Sequence, residues 1–210
     1  MTSYFPQVAD ENDLPALAGM KAAFGFVPNF FRAQTKRPAL IEAEAQLVGA
    51  VFMVEGALTR QEKEYIFLVC SAANLSTYCV TAHCEIVRML GIAGPEPEQI
   101  AVDYAAAEIP MRMRALLNFP SKLNRQPAKV TRRDIDALHT YGYTDEHIIE
   151  TVVTVGLAKF ANFVAFGLGA APDFETPSKV DFPIPVQASA TSQNTLMAPL
   201  GDVSLSNSAR

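Results

Sequence analysis

Glu64, Cys79 and His83 are the residue types that thiol-based redox chemistry uses, and all three fall in one stretch, residues 59–91, TRQEKEYIFLVCSAANLSTYCVTAHCEIVRMLG. A thiolate can attack the O–O bond of a hydroperoxide, release the alcohol and become a sulfenic acid. That chemistry needs an accessible thiolate, a proton donor for the leaving oxygen and a route back from the sulfenic acid. Cysteine supplies the first, an imidazole held by a carboxylate the second. Whether these side chains can meet depends on the elements that carry them.

Two helical patterns share the stretch. In the first, Ile66, Leu68, Val69 and Ala72 are apolar, and Glu62 and Glu64 interrupt them. In the second, Val80, His83, Val87 and Leu90 recur at steps of three and four, the spacing of one helical face. Asn74, Ser76 and Thr77 in the break between them are candidate caps for the second helix. Cys79 then falls in its first turn, where backbone N–H groups and the macrodipole favour an anion, so a lowered thiol pKa is expected. His83 lies one turn further on the same face, within expected reach of the Cys79 proton. An antiparallel return of the chain would bring Glu64 to the same place. Glu62 has a structural role of its own, since Thr59 and Glu62 form a T-x-x-E capping box. Glu64 has none so simple, which raises its value as a functional carboxylate beside the plainer reading of a solvated surface residue; the spacing described next favours the former.

The stretch resembles the alkylhydroperoxidase D / carboxymuconolactone decarboxylase-like superfamily, in particular its peroxidase-related branch. The family pattern is a Glu, eleven residues, a Cys, two residues, a Cys, three residues and a His. Glu64 is followed at those intervals by Ser76, Cys79 and His83. LTRQEKEYI, VCSAAN, YCVTAH and the distal KLNRQPAKVTRRDIDALHTYGYTDEHIIETVVTVGLAKFANFVAFGLG extend the likeness from about Phe24 to Gly169. The resemblance implies Cys79 as attacking thiol, His83 as proton relay and Glu64 as the group that orients the imidazole. It also implies a homo-oligomer of helical hairpins. Ser76 replaces the first cysteine of the family's CxxC, so the family's dithiol step cannot run unchanged. Ser76 could instead donate a hydrogen bond to the Cys79 thiolate and cap the helix. Cys84 is about 140° around the helix from Cys79, too far for an intrahelical disulfide, and Cys70 reads as a buried, inert thiol. An external thiol or reductase partner is therefore the expected reductant. Zinc on Cys79, His83, Glu64 and Cys84 would lack a CxxC or HxxxH pair and an evident fourth ligand, so neither metal nor cofactor is expected.

The rest of the chain predicts an all-α, helical-hairpin bundle. Residues 1–170 read as one domain, with hairpin halves near 24–94 and 95–170, and residues 171–210 as an extended or mobile arm rich in Pro, Ser, Thr and Asn. A helix from Pro38 to Gly56 is expected, another from about Glu96 to Glu108, and one that Pro120 ends or kinks. The final helix, Ile148 to Leu168, reads as buried nearly all round, in a core or subunit interface. Phe24, Phe26, Phe30 and Phe31 read as packing aromatics. The net charge of -5 without a basic block excludes nucleic acid as an expected partner. No uninterrupted apolar run approaches the ~18–20 residues that span a bilayer. The first residues lack the pattern of a secretory signal, and three cysteines do not make a secreted disulfide framework, so a reducing cytoplasm is expected. The leading expectation is a peroxidase-like thiol oxidoreductase. The alternatives are proton transfer or decarboxylation on an organic acid, and a binding protein that kept the fold without turnover.

Overall fold

The computed structural model describes residues 3–5, 14–180 and 182, and within them the chain is helical with no strand. The helices are α1 (Pro15–Phe24), α2 (Asn29–Arg32), α3 (Pro38–Val48), α4 (Arg60–Ala73), α5 (Thr77–Met89), α6 (Pro97–Asp103), α7 (Met111–Arg125), α8 (Arg132–Thr140) and α9 (Asp145–Leu168). The centre is α4, which packs against α5, α6, α7 and α9. Every residue from Glu62 to Ala72 is buried. Surrounded on all sides, α4 presents each of its faces to a neighbouring helix, so a side chain at any position on it can be aimed into the interior.

Three charged side chains tolerate this burial because each is partnered. Glu62 closes the predicted capping box on Thr59. Its other oxygen accepts hydrogen bonds from Arg112 Nη1 at 3.1 Å and Tyr143 OH at 3.0 Å. The Arg112 guanidinium also lies over the Tyr143 ring, 3.9 Å from its centroid. Lys63 reaches the Val54 carbonyl and the Glu150 carboxylate. Glu150 in turn accepts from the N–H groups of Ala57 and Leu58, which fixes the approach to α4.

A Schellman turn reverses the chain between α4 and α5. Ser76 N–H bonds to the Ser71 carbonyl at 2.9 Å and Leu75 N–H to that of Ala72 at 2.9 Å, with Leu75 in the left-handed region at φ 60°. Two of the three expected caps are used elsewhere, and the third caps nothing. Asn74 pairs with Asn124 and Asn162, Thr77 Oγ1 bonds to Phe182, and Ser76, at the N-cap position, makes no side-chain cap bond. Tertiary partners outcompete the local ones, and the first turn of α5 is left without a side-chain cap.

Several boundaries differ from expectation. α3 stops at Val48 and passes into a π-helical turn, Gly49–Met53, before Val54 becomes extended. The helix does not run on to Gly56, and that glycine is needed where a Cβ would collide with the Glu150 carboxylate. α6 is shorter than predicted, ending at Asp103. α7 continues past Pro120 to Arg125, because its buried face, Leu116, Leu117, Phe119 and Pro120, packs on α4 and offsets the one backbone bond that proline removes. α9 is not buried all round. Its Thr151, Val155, Ala158, Asn162 and Ala165 side faces the bundle, whereas Ile149, Val152, Val153, Phe160, Phe163 and Phe166 are exposed. Only Lys159 is charged between Thr151 and Leu168, so by length and composition α9 could cross a membrane, contrary to the expectation from uninterrupted runs; here its other side is the core.

Residues 171–180 run back along the domain, where Asn29 holds Asp173 and Ala171 and Val180 is fully buried. The expectation for residues 187–210 falls outside the described residues. Glu62→Ala leaves the buried Tyr143 hydroxyl and the Arg112 guanidinium without their shared acceptor. It is expected to lower unfolding stability by about 2 kcal/mol, read from the urea midpoint, with Glu62→Gln retaining about half.

Candidate functional site

The α4–α5 hairpin brings Glu64 and His83 together. His83 Nδ1 lies 2.6 Å from Glu64 Oε2, and Arg60 Nε donates to Glu64 Oε1, also at 2.6 Å. The Glu64 side chain is completely inaccessible to solvent. Burial pushes its carboxyl up, but His83 and Arg60, each through charge and a hydrogen bond, outweigh that and hold it below the usual carboxylate range. Glu64 is therefore an anion at neutral pH, and it accepts a hydrogen bond from His83 Nδ1, which leaves Nε2 as the ring nitrogen free of that bond.

Aromatic packing sets the ring plane. Phe67, on α4, stacks on the His83 imidazole with centroids 3.8 Å apart and planes 19° off parallel. Phe52 from the π-helical turn stands 5.9 Å from the same ring. Arg60 is fixed in the same way, with its guanidinium carbon 5.1 Å from the Phe52 centroid and Nη1 donating to the Phe52 carbonyl at 3.1 Å. The π-turn thus does what π-bulges often do at functional sites, re-aiming one turn of side chains. Arg60 was not among the expected residues; its position four before Glu64 on one helical face was the available signal.

Cys79 lies in the first turn of α5, as expected, and lines the same cavity as His83, Glu64 and Arg60. Two expectations about it are corrected. No hydrogen bond joins Cys79 to His83 among the described residues; both line the cavity. Nor is its pKa lowered. Desolvation pushes the thiol up, and its polar neighbours Ser76 and Asn162 only partly oppose this. Ser76 Oγ is itself buried without a hydrogen-bond partner of good geometry, yet it stands close enough to the sulfur to act on it. Asn162 was missed at the sequence level, although a lone amide inside the apolar run of α9 marks a position with a specific partner. Cys70 and Cys84 are buried and free. Burial pushes the Cys70 thiol up to about 12. It also raises that of Cys84, with the Glu98 carboxylate acting in the same direction.

The cavity, about 130 Å³, is walled mostly by apolar side chains. Phe24, Phe26, Phe30 and Phe31 all line it, so the aromatic segment read as packing also forms a binding wall. Asp173 and Phe174 complete the wall from the C-terminal side. Tyr78 OH donates to Asp173 Oδ2 at 2.6 Å and accepts from Phe30 N–H at 3.0 Å, and the Phe174 ring meets Phe26 edge-on at 5.6 Å. One tyrosine, adjacent to Cys79, thereby ties the aromatic loop, α5 and the returning chain. Among the described residues no three His, Cys, Asp or Glu side chains converge as metal ligands.

Two outcomes follow. Alkylation of Cys79 by a small electrophile, followed by mass spectrometry, is expected to rise with pH along a curve whose midpoint lies above the ~8.5 of a free thiol. A midpoint at or below that value would contradict the burial argument. Glu64, its pKa depressed in the fold, contributes stability that is complete above its unfolded value of ~4.3 and is lost as pH falls through the folded one. Arg60→Met brings the folded value up, so the acid unfolding midpoint followed by circular dichroism is expected to move to higher pH.

No family model and no curated protein matches the chain. Solved structures do. The alkylhydroperoxidase AhpD core protein of Ralstonia eutropha JMP134, an uncharacterized peroxidase-related protein, is 31% identical, with 86% of this chain and 95% of that one covered and a TM-score of 0.76. The uncharacterized peroxidase-related protein of Silicibacter sp. TM1040 is 25% identical over 85% of this chain and 96% of that one, with a TM-score of 0.75. The debrominase Bmp8 shares the fold at 19% identity, 86% and 96% coverage and a TM-score of 0.71. With the all-α architecture and the spacing of Glu64, Cys79 and His83, these place the chain in a family: it belongs to the alkylhydroperoxidase D-like superfamily, among its peroxidase-related proteins.

Proposed function

We propose that this protein is a thiol peroxidase that reduces organic hydroperoxides through Cys79 and is regenerated by an external thiol. The observation that carries the reading is the 2.6 Å pair of Glu64 and His83 at the wall of a largely apolar cavity that also exposes Cys79. A hydroperoxide in that cavity bridges the gap between sulfur and imidazole. His83 Nε2 accepts the thiol proton as the O–O group enters and returns it to the leaving alkoxide, while the sulfur attacks the other oxygen. Glu64, ionised and fully buried, stabilises the imidazolium between those steps, and Arg60 keeps Glu64 ionised. The raised thiol pKa fits this order of events, because the thiolate forms only when the base and substrate are both in place. The apolar wall favours an organic over an inorganic peroxide.

The exposed apolar stripe of α9, from Ile149 to Phe166, supports a homo-oligomer in which a second copy covers it. A reducing cytoplasmic setting suits the reduced thiols and the external reductant.

Cumene hydroperoxide consumption in the presence of a small thiol tests the reading. Cys79→Ser is expected to abolish turnover, and His83→Ala to lower it by roughly 10²–10⁴-fold, the range that general acid–base catalysis contributes. Wild-type protein that consumes no organic hydroperoxide, or Cys79→Ser that keeps the wild-type rate, would remove the peroxidase reading, and retention of activity on an organic acid in that variant would point to proton transfer.

A further inference from the structure

Cys79 has no partner cysteine in its own motif: Ser76 stands where the family pattern has the first one, and Asn162 of α9 is a second polar neighbour of the sulfur. Ser76 Oγ is 1% exposed and has no hydrogen-bond partner of good geometry among the described residues. Asn162, fully buried, is pinned on both sides of its amide. Its Oδ1 accepts from Asn74 Nδ2 at 2.7 Å, and one Nδ2 hydrogen goes to Ser71 Oγ at 3.0 Å. The amide cannot turn without breaking both bonds, and it stands within hydrogen-bonding reach of Cys79. The first turn of α5 also lacks a side-chain cap. An orphaned hydroxyl and a fixed amide buried beside one sulfur cost folding free energy unless the site at some stage holds an acceptor.

We propose that Ser76 and Asn162 form a two-donor cradle for the oxidised form of Cys79, holding a sulfenate until an external thiol reaches it. The proposal rests on the peroxidase reading. A sulfenate carries its charge on an oxygen one bond beyond the sulfur, so it reaches donors that the thiol itself leaves without a good bond. The cycle balances as follows. The Cys79 thiolate, ROOH and one proton give the sulfenic acid and ROH. A small thiol R′SH then gives the mixed disulfide and water, and a second R′SH releases R′SSR′ and the Cys79 thiol. Ser76 thereby turns a two-cysteine cycle into one with a persistent one-oxygen intermediate, and Asn162 is the second catalytic residue of that state.

Intact-mass spectrometry after one equivalent of cumene hydroperoxide in thiol-free buffer, with a 1,3-diketone trap to confirm the sulfenic acid at Cys79, reads the lifetime directly. Wild type is expected to hold one added oxygen. On then adding a small thiol, which removes the oxygen as water and leaves the mixed disulfide, Ser76→Ala and Asn162→Leu are expected to lose it roughly tenfold faster, the worth of one hydrogen bond to a charged group. Ser76→Cys is expected to lose two hydrogens instead, as an intramolecular disulfide with Cys79 forms. Lifetimes within twofold of wild type in Ser76→Ala and Asn162→Leu would overturn the cradle. So would failure of Ser76→Cys to form the disulfide, which would show that position 76 does not reach the sulfur. Asn162 also supports Asn74 and Ser71, so Ser76→Ala decides the matter if Asn162→Leu does not fold. A wild-type protein that never acquires the oxygen would instead remove the peroxidase reading beneath the proposal.

Discussion

The Glu64 carboxylate is the constraint on which the rest of this structure depends. An ion with no solvent access is costly unless its charge is matched and its lone pairs are filled. Two short bonds, from Arg60 and to His83, do both. Each of those partners then needs its own support, and the surrounding elements supply it: the π-helical turn provides a ring and a carbonyl for Arg60, and Phe67 provides a stacking face for His83. An imidazole held by a buried anion is thus also a folding requirement, since neither the carboxylate nor the ring has another place to go.

Two opposed effects meet at Cys79, and magnitude separates them. A helix N-terminus favours an anion by about 0.3–1 kcal/mol at an ordinary surface site. Full burial of an ionisable group shifts its pKa by up to about 3–5 units, each ~1.4 kcal/mol. Desolvation wins, and the resting thiol is protonated. Such a site gains reactivity by using the proton instead of discarding it beforehand, which is why the imidazole across the cavity matters more than the helix end beneath the sulfur. Burial also protects the thiol, because an electrophile must fit an aromatic-lined cavity before it meets sulfur. The Asp173–Tyr78–Phe30 tie holds the C-terminal part of that cavity's wall in place.

The all-α class, the Thr59–Glu62 capping box and the convergence of Glu64 with His83 were legible from local pattern and spacing. These depend on helical periodicity and a short turn, which sequence separation alone encodes. Hydropathy misled where a helix met its neighbours. α4 carries charges at Glu62, Lys63 and Glu64 yet is buried throughout, whereas α9 is apolar on every face yet exposes half of them. Burial follows from how many helices surround an element and whether each charge has a partner, and neither quantity is local.

By itself, the sequence determined which residue types could do chemistry, that helices carry them, and that Ser76 stands where the family pattern has its first cysteine. Tertiary structure decided the rest. It drew Asn74 and Thr77 away from α5 to distant partners, set Arg60 and Asn162 beside the reactive groups, and turned packing phenylalanines into a cavity wall. It also reversed the sign of the Cys79 pKa shift. The physical reason is common to all of these: desolvation and side-chain hydrogen bonding depend on what lies within a few ångströms in space, and for these residues the neighbours that matter come from distant parts of the chain.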